Sequence, residues 1–501
     1  MVVPPPTRQS TGVVFAILTT GVAAYTLLQA FVMPVLAQIQ HAYDTDQATV
    51  TWVLTAYLLS ASVATPLAGR VGDAIGKKRA LVWTLGALAA GSLFAAVAPS
   101  IEWLIAARVV QGLGGGVLPL AFGLIRDVFP ADRIHRAISV IAALGAVGFG
   151  AGVVVAGPLV DLLDHHWLFW IPMAATAVAG AGTIAFVPES RHLSPGRINP
   201  LPALTFGAAL IALLLAISQA ERLGWGSWPV VGLLCAAPVL AAVWAFSETR
   251  VRVPFIDMNM MAVRGVWASN LVAFLSGTAM YAGFGFLPQL LQTPAATGYG
   301  LGATVTESGL LMLPSALFAF VSGLLTPPLI RAFSARAVIA SGCLLNAVSF
   351  LMIATLHDAQ WQIYVATTLW GFGQGLMFSS LASVVTASVR ASQSGVANGM
   401  NANIRTIGGA IGAAGAAAVV TAHVGGGGFP EESGYVTAFL VAAGILVVAT
   451  LAALAIPPIG AAMLDEALEF AAANAEIGMI PGAEVSTAAP PPSRDGPAPA
   501  R

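Results

Sequence analysis

The chain has 501 residues, 57% of them hydrophobic and only 9% charged, with a formal net charge of −1. Soluble globular domains carry about 25% charged residues, so 21 basic and 22 acidic side chains cannot face a chain of this length with water. A soluble enzyme is excluded, as are a disordered chain, which needs the opposite composition, and a nucleic-acid binder, which needs a basic face.

The apolar residues come in long runs, and a helix needs about 20 of them to cross the hydrocarbon of a bilayer. That window predicts fourteen spans. The first six are Val13–Ala37, Thr51–Gly69, Ala80–Ala98, Trp103–Ile125, Ile138–Val160 and Trp167–Val187. Two shorter runs follow, Leu204–Ala220 and Pro229–Phe246. The last six are Val266–Leu290, Ser308–Leu325, Val338–Leu356, Trp361–Thr386, Ala397–Ala422 and Tyr435–Ile456. The first span is too long for the apolar core of a signal peptide and no small-residue cleavage site follows it, so it is expected to stay in the protein. Asn398, Asn401, Asn403 and Arg405 crowd the start of the thirteenth.

Basic residues alternate with the loops. The loops holding Asp44 and Asp46, Asp161 and Asp164, and Glu431 and Glu432 have none. The intervening loops hold Arg70, Lys77, Lys78 and Arg79, then Arg126, Arg133 and Arg136, then Arg191 and Arg197. Arg250, Arg252 and Arg264, then Arg331 and Arg336, then Arg390 continue the series. With Arg8, sixteen of the 21 basic residues fall on one side, which the positive-inside rule makes the cytoplasm. An even number of spans is expected, with both termini cytoplasmic, in the plasma membrane. Residues 1–12 form the cytoplasmic N-terminus. Pro457 and Pro458 end the last helix, and residues 459–501 read as a disordered cytoplasmic tail, Ala/Pro-rich from Pro481.

An internal repeat organises the spans. The fourth contains GLGGGVL, Gly112 to Leu118, and the twelfth contains GFGQGLM, Gly371 to Met377. Both are G-x-G-x-G followed by two apolar residues, 259 positions apart. Spans one and nine, and five and thirteen, are offset similarly. Isolated glycines would only permit close helix packing, but recurrence at a fixed offset needs more. The expected fold is all-α and integral to the membrane: a six-helix bundle over residues 13–190, a two-helix insertion over 191–250, and a second six-helix bundle over 251–458. Two parallel repeats around a midplane site are a known transporter plan.

The loop after span two reads GRVGDAIGKKR, Gly69 to Arg79. Gly72 and Gly76 allow a tight turn, and Asp73 can face a helix N-terminus. Lys77, Lys78 and Arg79 can pair with acids at helix ends, such as Asp127. Such a loop is either a plain positive-inside signal or a gating latch that forms in one bundle arrangement and breaks in the other. Asp73 and the paired glycines favour the latch. It is not a phosphate loop: Gly72 to Gly76 is one residue too short, and Lys78 stands where Ser or Thr would bind Mg²⁺. Arg108, inside span four, is the strongest single site candidate, because a buried arginine usually faces a cavity and marks an ion path. It will not deprotonate, so its expected role is to alter the proton affinity of a neighbour. The alternative is a structural arginine bonded to backbone carbonyls. Gln111 shares its turn, and Arg405 invites the same reading. Glu307 opens span ten, either as a protonatable acid near the external mouth or as a solvated helix-start residue. Tyr25, Gln29, Tyr57, Asn270, Tyr281, Gln289, Asn346 and Gln374 are polar groups within spans that either bond neighbouring helices or together line an apolar cavity. Cys235 and Cys343 lie in apolar runs, and the His165–His166 pair has no third ligand at metal spacing, so no metal site is expected and the histidines read as solvated.

The Gly69–Arg79 loop resembles the signature loop of the major facilitator superfamily. Arg108-x-x-Gln111-Gly112-x-Gly114 resembles that superfamily's second motif, found in proton-coupled members. With fourteen spans and the stretch SGVANGMNANIRTIGGAIG, Ser394 to Gly412, the chain looks like the drug–proton antiporter branch with two extra helices. The resemblance covers about Val13 to Ile456. It departs in two places. Span five carries Val153 where the antiporters' proline would fall, with Gly157-Pro158 displaced toward the outer end. Span one carries Tyr25 where the branch usually has an acid about nine residues before the proline, here Pro34.

The resemblance implies a proton-coupled exporter of small, drug-like amphiphiles working by alternating access. One charge moved through 100 mV is worth about 2.3 kcal/mol, so a proton gradient suffices and no cofactor is expected. Spans that hold Arg108 and Arg405 but no central acid favour a neutral or anionic substrate. The lipid bilayer is the other partner, and a monomer is expected. Two alternatives stay open: export of one endogenous lipid, siderophore or metabolite, and a non-transporting membrane sensor or assembly partner that uses the tail. A membrane-embedded enzyme finds no Ser/His/Asp, HExxH or paired-carboxylate arrangement in any span.

Overall fold

The computed structural model describes residues 11–130, 137, 140–141, 148, 152–189, 200–250, 254, 258–389, 394–422 and 429–458, with the side chains of 73, 200, 203, 221–222 and 394–395 outside that description. The expectations for residues 1–10, most of 131–151, 190–199 and the tail lie outside the described residues, as does the Asp73 carboxylate. Every regular element among the described residues is a helix.

Helices α1 (Thr11–Val32) and α2 (Leu36–Ala42) form one element, joined by a 3₁₀ turn at Met33–Val35. Pro34 falls in that turn and has no N–H to continue the ladder. Helix α3 (Gln47–Ile75) starts where the Asp46 carboxylate accepts the Thr49 N–H and stops at Gly76, whose φ of 105° is a conformation side chains rarely adopt. Then follow α4 (Lys77–Ala96), α5 (Ile101–Gly112) and α6 (Val117–Val128). The last two are a single rod interrupted by a 3₁₀ stretch, Leu113–Gly116, at the glycine run. Helix α7 is described from Gly152 to Leu162, and α8 spans Trp167–Phe186. Helices α9 (Pro200–Leu223) and α10 (Trp228–Arg250) form a hairpin. After the short α11 (Met258–Ala262) come α12 (Arg264–Gln292), α13 (Val305–Ala332), α14 (Ala335–Thr355), α15 (Gln360–Ser388), α16 (Ser394–Thr421) and α17 (Glu432–Ala453).

Eleven of these elements are long and apolar enough to cross a bilayer. The sequence reading expected fourteen. Of the other three, α7 is described over part of its length, α9 has a shorter apolar stretch at Leu204–Ala220, and α15 is 29 residues long but carries Gln360, Gln362, Gln374 and several hydroxyls.

Helices α1, α4 and α8 pack together, as do α3, α4 and α5. In the second half, α13 and α14 flank α15, and α12 lies on α16 and α17. The two glycine triplets explain the likeness. In the first, a methyl group at Gly112 would meet Ser60 of α3 at 2.5 Å, at Gly114 Leu88 of α4 at 2.8 Å, and at Gly116 Ala68 of α3. In the second, Gly371 abuts Ser315 of α13, Gly373 abuts Asn346 of α14 at 2.6 Å, and Gly375 abuts Ser322 of α13. Each triplet alternates between the same two neighbours, two and one spans earlier. With lipid as solvent, no apolar driving force separates helix from lipid, and such close backbone approach supplies the packing instead.

The halves meet along α3 and α16. On α16, Gly408, Gly409 and Gly412 let α12 approach through Phe274, Tyr281 and Thr278. Helix α9 covers the α3–α16 line, tied by the Trp52 indole N–H to the Ser218 hydroxyl at 2.9 Å. Helix α10 buries only 11% of its apolar window and leans on α9.

Gly371→Leu should lower the unfolding temperature in detergent, by overpacking worth about 1–3 kcal/mol, because the backbone of α13 cannot move aside. Gly86→Ala, inside α4 with open space around it, should leave the temperature unchanged or raise it slightly, because alanine favours the helix interior over glycine.

Candidate functional site

At the end of the molecule rich in basic residues, Lys77 lies 3.0 Å from both oxygens of Asp127, and the two side chains are 20% and 12% exposed. Lys78 donates to the Ile184 carbonyl at 2.9 Å, and Arg79 pairs with Glu189 at 3.5 Å in a far more exposed position. Gly72 clears Leu120, Gly123 clears the Lys77 stem, and Gly76 clears Glu189, while Gly69 has open space. These pairs tie α4 to α6 and to the end of α8, all within the first half. Among the described residues, Arg70 reaches toward the second half, donating to the Pro254 carbonyl. Sequence reasoning treated Arg70 as a topology charge and missed Glu189, an acid directly after span six.

Arg108 is fully buried. Its Nε donates to the Val53 carbonyl at 2.8 Å and Nη1 to Gln111 Oε1 at 2.7 Å, and the guanidinium lies 4.3 Å from the Tyr57 ring centre. Gln111 in turn donates to Ser92 at 3.1 Å. The i, i+3 spacing of Arg108 and Gln111 puts both on one helix face, and Gly91 lets α4 approach the Gln111 backbone. The carbonyl bond of the structural alternative is present. Arg108 Nη2 and the Tyr57 hydroxyl nonetheless stay buried without a hydrogen-bond partner. Ser92 was not anticipated, since a lone serine in a span carries no signal.

Arg405 faces the seam between the halves. Its guanidinium lies 4.4 Å from the Phe378 ring centre, and its nearest polar neighbours include Tyr25 of α1 and Tyr281 of α12. Tyr25 accepts from Gln29 Nε2 at 3.0 Å. Gln374, one turn before Phe378 on α15, has a buried Nε2 without a partner. Gln29, Gln374, Phe378 and Arg405 all keep partial exposure deep along their helices. A lipid-facing arginine or glutamine at that depth would be untenable, so the exposure belongs to a cleft between helices.

Other polar residues of the spans sit elsewhere. Gln289 accepts from Gln47 at 2.7 Å, across the halves at the end opposite the basic loops. Nearby, Gln292 donates to the Pro34 carbonyl at 2.7 Å, and Thr306 donates to Asp161 at 2.7 Å. Asn270 accepts from Asn401 at 2.9 Å, and Asn403 crosses the halves to the Ser62 carbonyl at 3.0 Å. Asn346 packs against Gly373 inside the second half. Glu307 is held in a capping box, its side chain accepting the Thr304 N–H at 2.8 Å. That is the helix-start role.

The histidine pair is not freely solvated. His165 Nδ1 lies 2.6 Å from Asp164 Oδ1, and the two imidazoles stack with centres 4.1 Å apart. Contrary to the expectation of no third ligand, Asp164 joins them: Asp164, His165 and His166 offer ligand atoms within 4.8 Å of one another, and among the described residues His165 Nε2 and His166 Nδ1 have no hydrogen-bond partner. Burial lowers the His165 pKa below its ordinary value, helped by His166 and opposed by Asp164.

Two measurements follow from this geometry. Lys77→Met leaves the mostly buried Asp127 unpaired and should cost about 1–3 kcal/mol of stability in detergent, whereas Arg79→Ala, at an exposed pair, should cost less than about 1 kcal/mol. The depressed His165 value means its contribution to stability is full above the ordinary histidine range and is lost as pH falls through the folded-state value. Nuclear magnetic resonance should find the ring neutral at pH 7, and His165→Asn should flatten that part of the stability–pH curve.

The Major Facilitator Superfamily model matches residues 18–413 and 271–469 of the chain. The chain is 27% identical over 380 residues to the multidrug transporter protein MdtP of Bacillus subtilis, covering 75% of this chain and 69% of that protein. It is 28% identical over 408 residues to the methylenomycin A resistance protein of Streptomyces coelicolor, covering 80% and 84%. A solved auto-inhibited POT family peptide transporter superposes with a TM-score of 0.63 at 17% identity, covering 88% of this chain and 96% of that one, a likeness of fold. The helices, the matched motifs and these likenesses agree that the chain is a multi-pass membrane transporter, not an enzyme, and that it belongs to the Major Facilitator Superfamily.

Proposed function

We propose that the chain exports small, drug-like amphiphilic molecules across the plasma membrane by alternating access, in exchange for protons. The similarity to relatives named for multidrug transport and methylenomycin A resistance carries this reading. The buried Arg108–Gln111 pair supports the coupling, since the motif resembles that of proton-coupled members. Arg108 holds its proton at any physiological pH, so it acts on the proton affinity of neighbours through its field.

In this reading the chain has fourteen spans, with bundles over residues 13–190 and 251–458 and the α9–α10 hairpin between them. The basic end is cytoplasmic, and the protein works as a monomer. Rocking then exchanges two sets of bonds across the halves. Gln47–Gln289, Gln292–Pro34 and Thr306–Asp161 close the outer side. Arg70–Pro254 and Asn403–Ser62 close the cytoplasmic side. The Lys77–Asp127 pair keeps the first bundle rigid while it rocks.

Inverted membrane vesicles loaded by a fluorescent amphiphile test the proposal. A pH gradient, acid inside, should drive uphill uptake, and collapsing that gradient with the membrane potential clamped should abolish it. Arg108→Gln should cut the proton-driven rate at least about 10-fold, consistent with losing a charged hydrogen-bonded group. Uptake that persists undiminished without the pH gradient would refute proton exchange.

A further inference from the structure

The two arginines of the membrane interior are held differently. Arg108 is enclosed in the first half, with two of its nitrogens bonded to Val53 and Gln111. Arg405 stands about 17 Å along α16 by helix rise, and among the described residues its guanidinium makes a contact with the Phe378 ring but no hydrogen bond or ion pair. Its neighbours add donors: the Tyr25 and Tyr281 hydroxyls lie in its field, and the unpartnered Gln374 Nε2 is one turn from Phe378. The acids cannot answer it, because every Asp and Glu among the described residues lies at a helix end or in a loop. A permanent charge in a cleft inside lipid, with its planar fork of donors open, lacks an acceptor of opposite charge.

We propose that Arg405 anchors the anionic head of the transported amphiphile, with Tyr25 and Gln374 as flanking donors and Phe378 and Tyr281 as the aromatic wall for its apolar part. This rests on the export reading and narrows its substrate class to monoanions, with a carboxylate as the best match to the guanidinium fork. A cation would meet Arg405 and Arg108 with no compensating acid. A neutral amphiphile gains the wall without the charged bonds.

The test compares 1-pyrenebutyrate with its methyl ester, which has the same ring and chain without the charge. In inverted vesicles the acid should show a KM at least about 10-fold below that of the ester, the size expected for hydrogen bonds to a charged group. Arg405→Gln should remove that difference while leaving the KM of the ester within about twofold, as expected if the charge alone is lost. Arg405→Lys, which keeps a point charge without the fork, should retain part of the preference, and it serves if Arg405→Gln does not fold. Equilibrium binding to purified protein in detergent, read by pyrene fluorescence, separates the site from the export reading. Acid-selective binding that disappears in Arg405→Gln supports the site even where no flux occurs, and in that case export is what fails. Equal losses for acid and ester, or no preference for the acid in the wild-type protein, would overturn the assignment.

Discussion

The constraint on which the structure depends is that its solvent is hydrocarbon. Every backbone N–H and C=O must find a partner inside the helix that carries it, so the regular structure among the described residues is helical, with interruptions at Pro34 and at the Gly112–Gly116 run that neighbouring helices shelter. The same constraint sorts the charges. Acids gather at helix ends and in loops, where water or a basic partner can reach them. The two deep guanidinium groups are both laid on aromatic faces, Arg108 on Tyr57 and Arg405 on Phe378. An aromatic ring provides a desolvated cation with electrostatic compensation without introducing a second charge.

Hydrocarbon on the outside also removes the usual reason for apolar helices to associate, and small residues take over. The glycine triplets at Gly112–Gly116 and Gly371–Gly375 make their helices the axle of each half. The α16 stripe of Gly408, Gly409 and Gly412 does the same for the pairing with α12. Contacts within a half are therefore backbone-close and stiff. Those between halves include a few side-chain hydrogen bonds at either end, such as Gln47–Gln289 and Asn403–Ser62. A joint of that kind can be remade at one end while it parts at the other, because a few side-chain bonds are exchanged and neither bundle has to deform.

Much of this was legible in the residues. Apolar run length marked the helices, and the fixed offset between the triplets marked the equivalent helices before any contact was visible. The i, i+3 spacing placed Arg108 beside Gln111 on one face. What could not be read is which neighbour each face meets. Gln289 could bond a neighbouring helix or line a cavity, and only the structure shows it joined to Gln47 at one end of the seam and Asn346 packed against Gly373 of its own bundle. Lys77 and Asp127 were legible as a pair of opposite charge, but that Lys78 would reach the Ile184 carbonyl and Arg79 the Glu189 carboxylate was not. A helical period fixes angles about one axis, whereas a partner's identity depends on the placement of two axes. The span count differs for a related reason: α15 packs Gly371, Gly373, Gly375 and Thr367 against α13 and α14, and these small and polar residues make it less apolar than its length alone would suggest.

The contrast between the arginines bears on how an empty carrier tolerates charge. Arg108 is the costlier group to desolvate, being fully buried, and it is the one given a backbone carbonyl, an amide oxygen and a ring. Arg405 keeps partial exposure, and with it the option of hydration through the cleft. Arg108 is closed off from any ligand by its burial although its Nη2 lacks a partner among the described residues, whereas a fork that keeps partial exposure can exchange water for a ligand. Recognition by a permanent charge is cheap to reverse when the competing partner is water, and a carrier must release what it binds in every cycle. On this reading the deeper guanidinium acts from a fixed place through its field, and the shallower one is the group a ligand can reach.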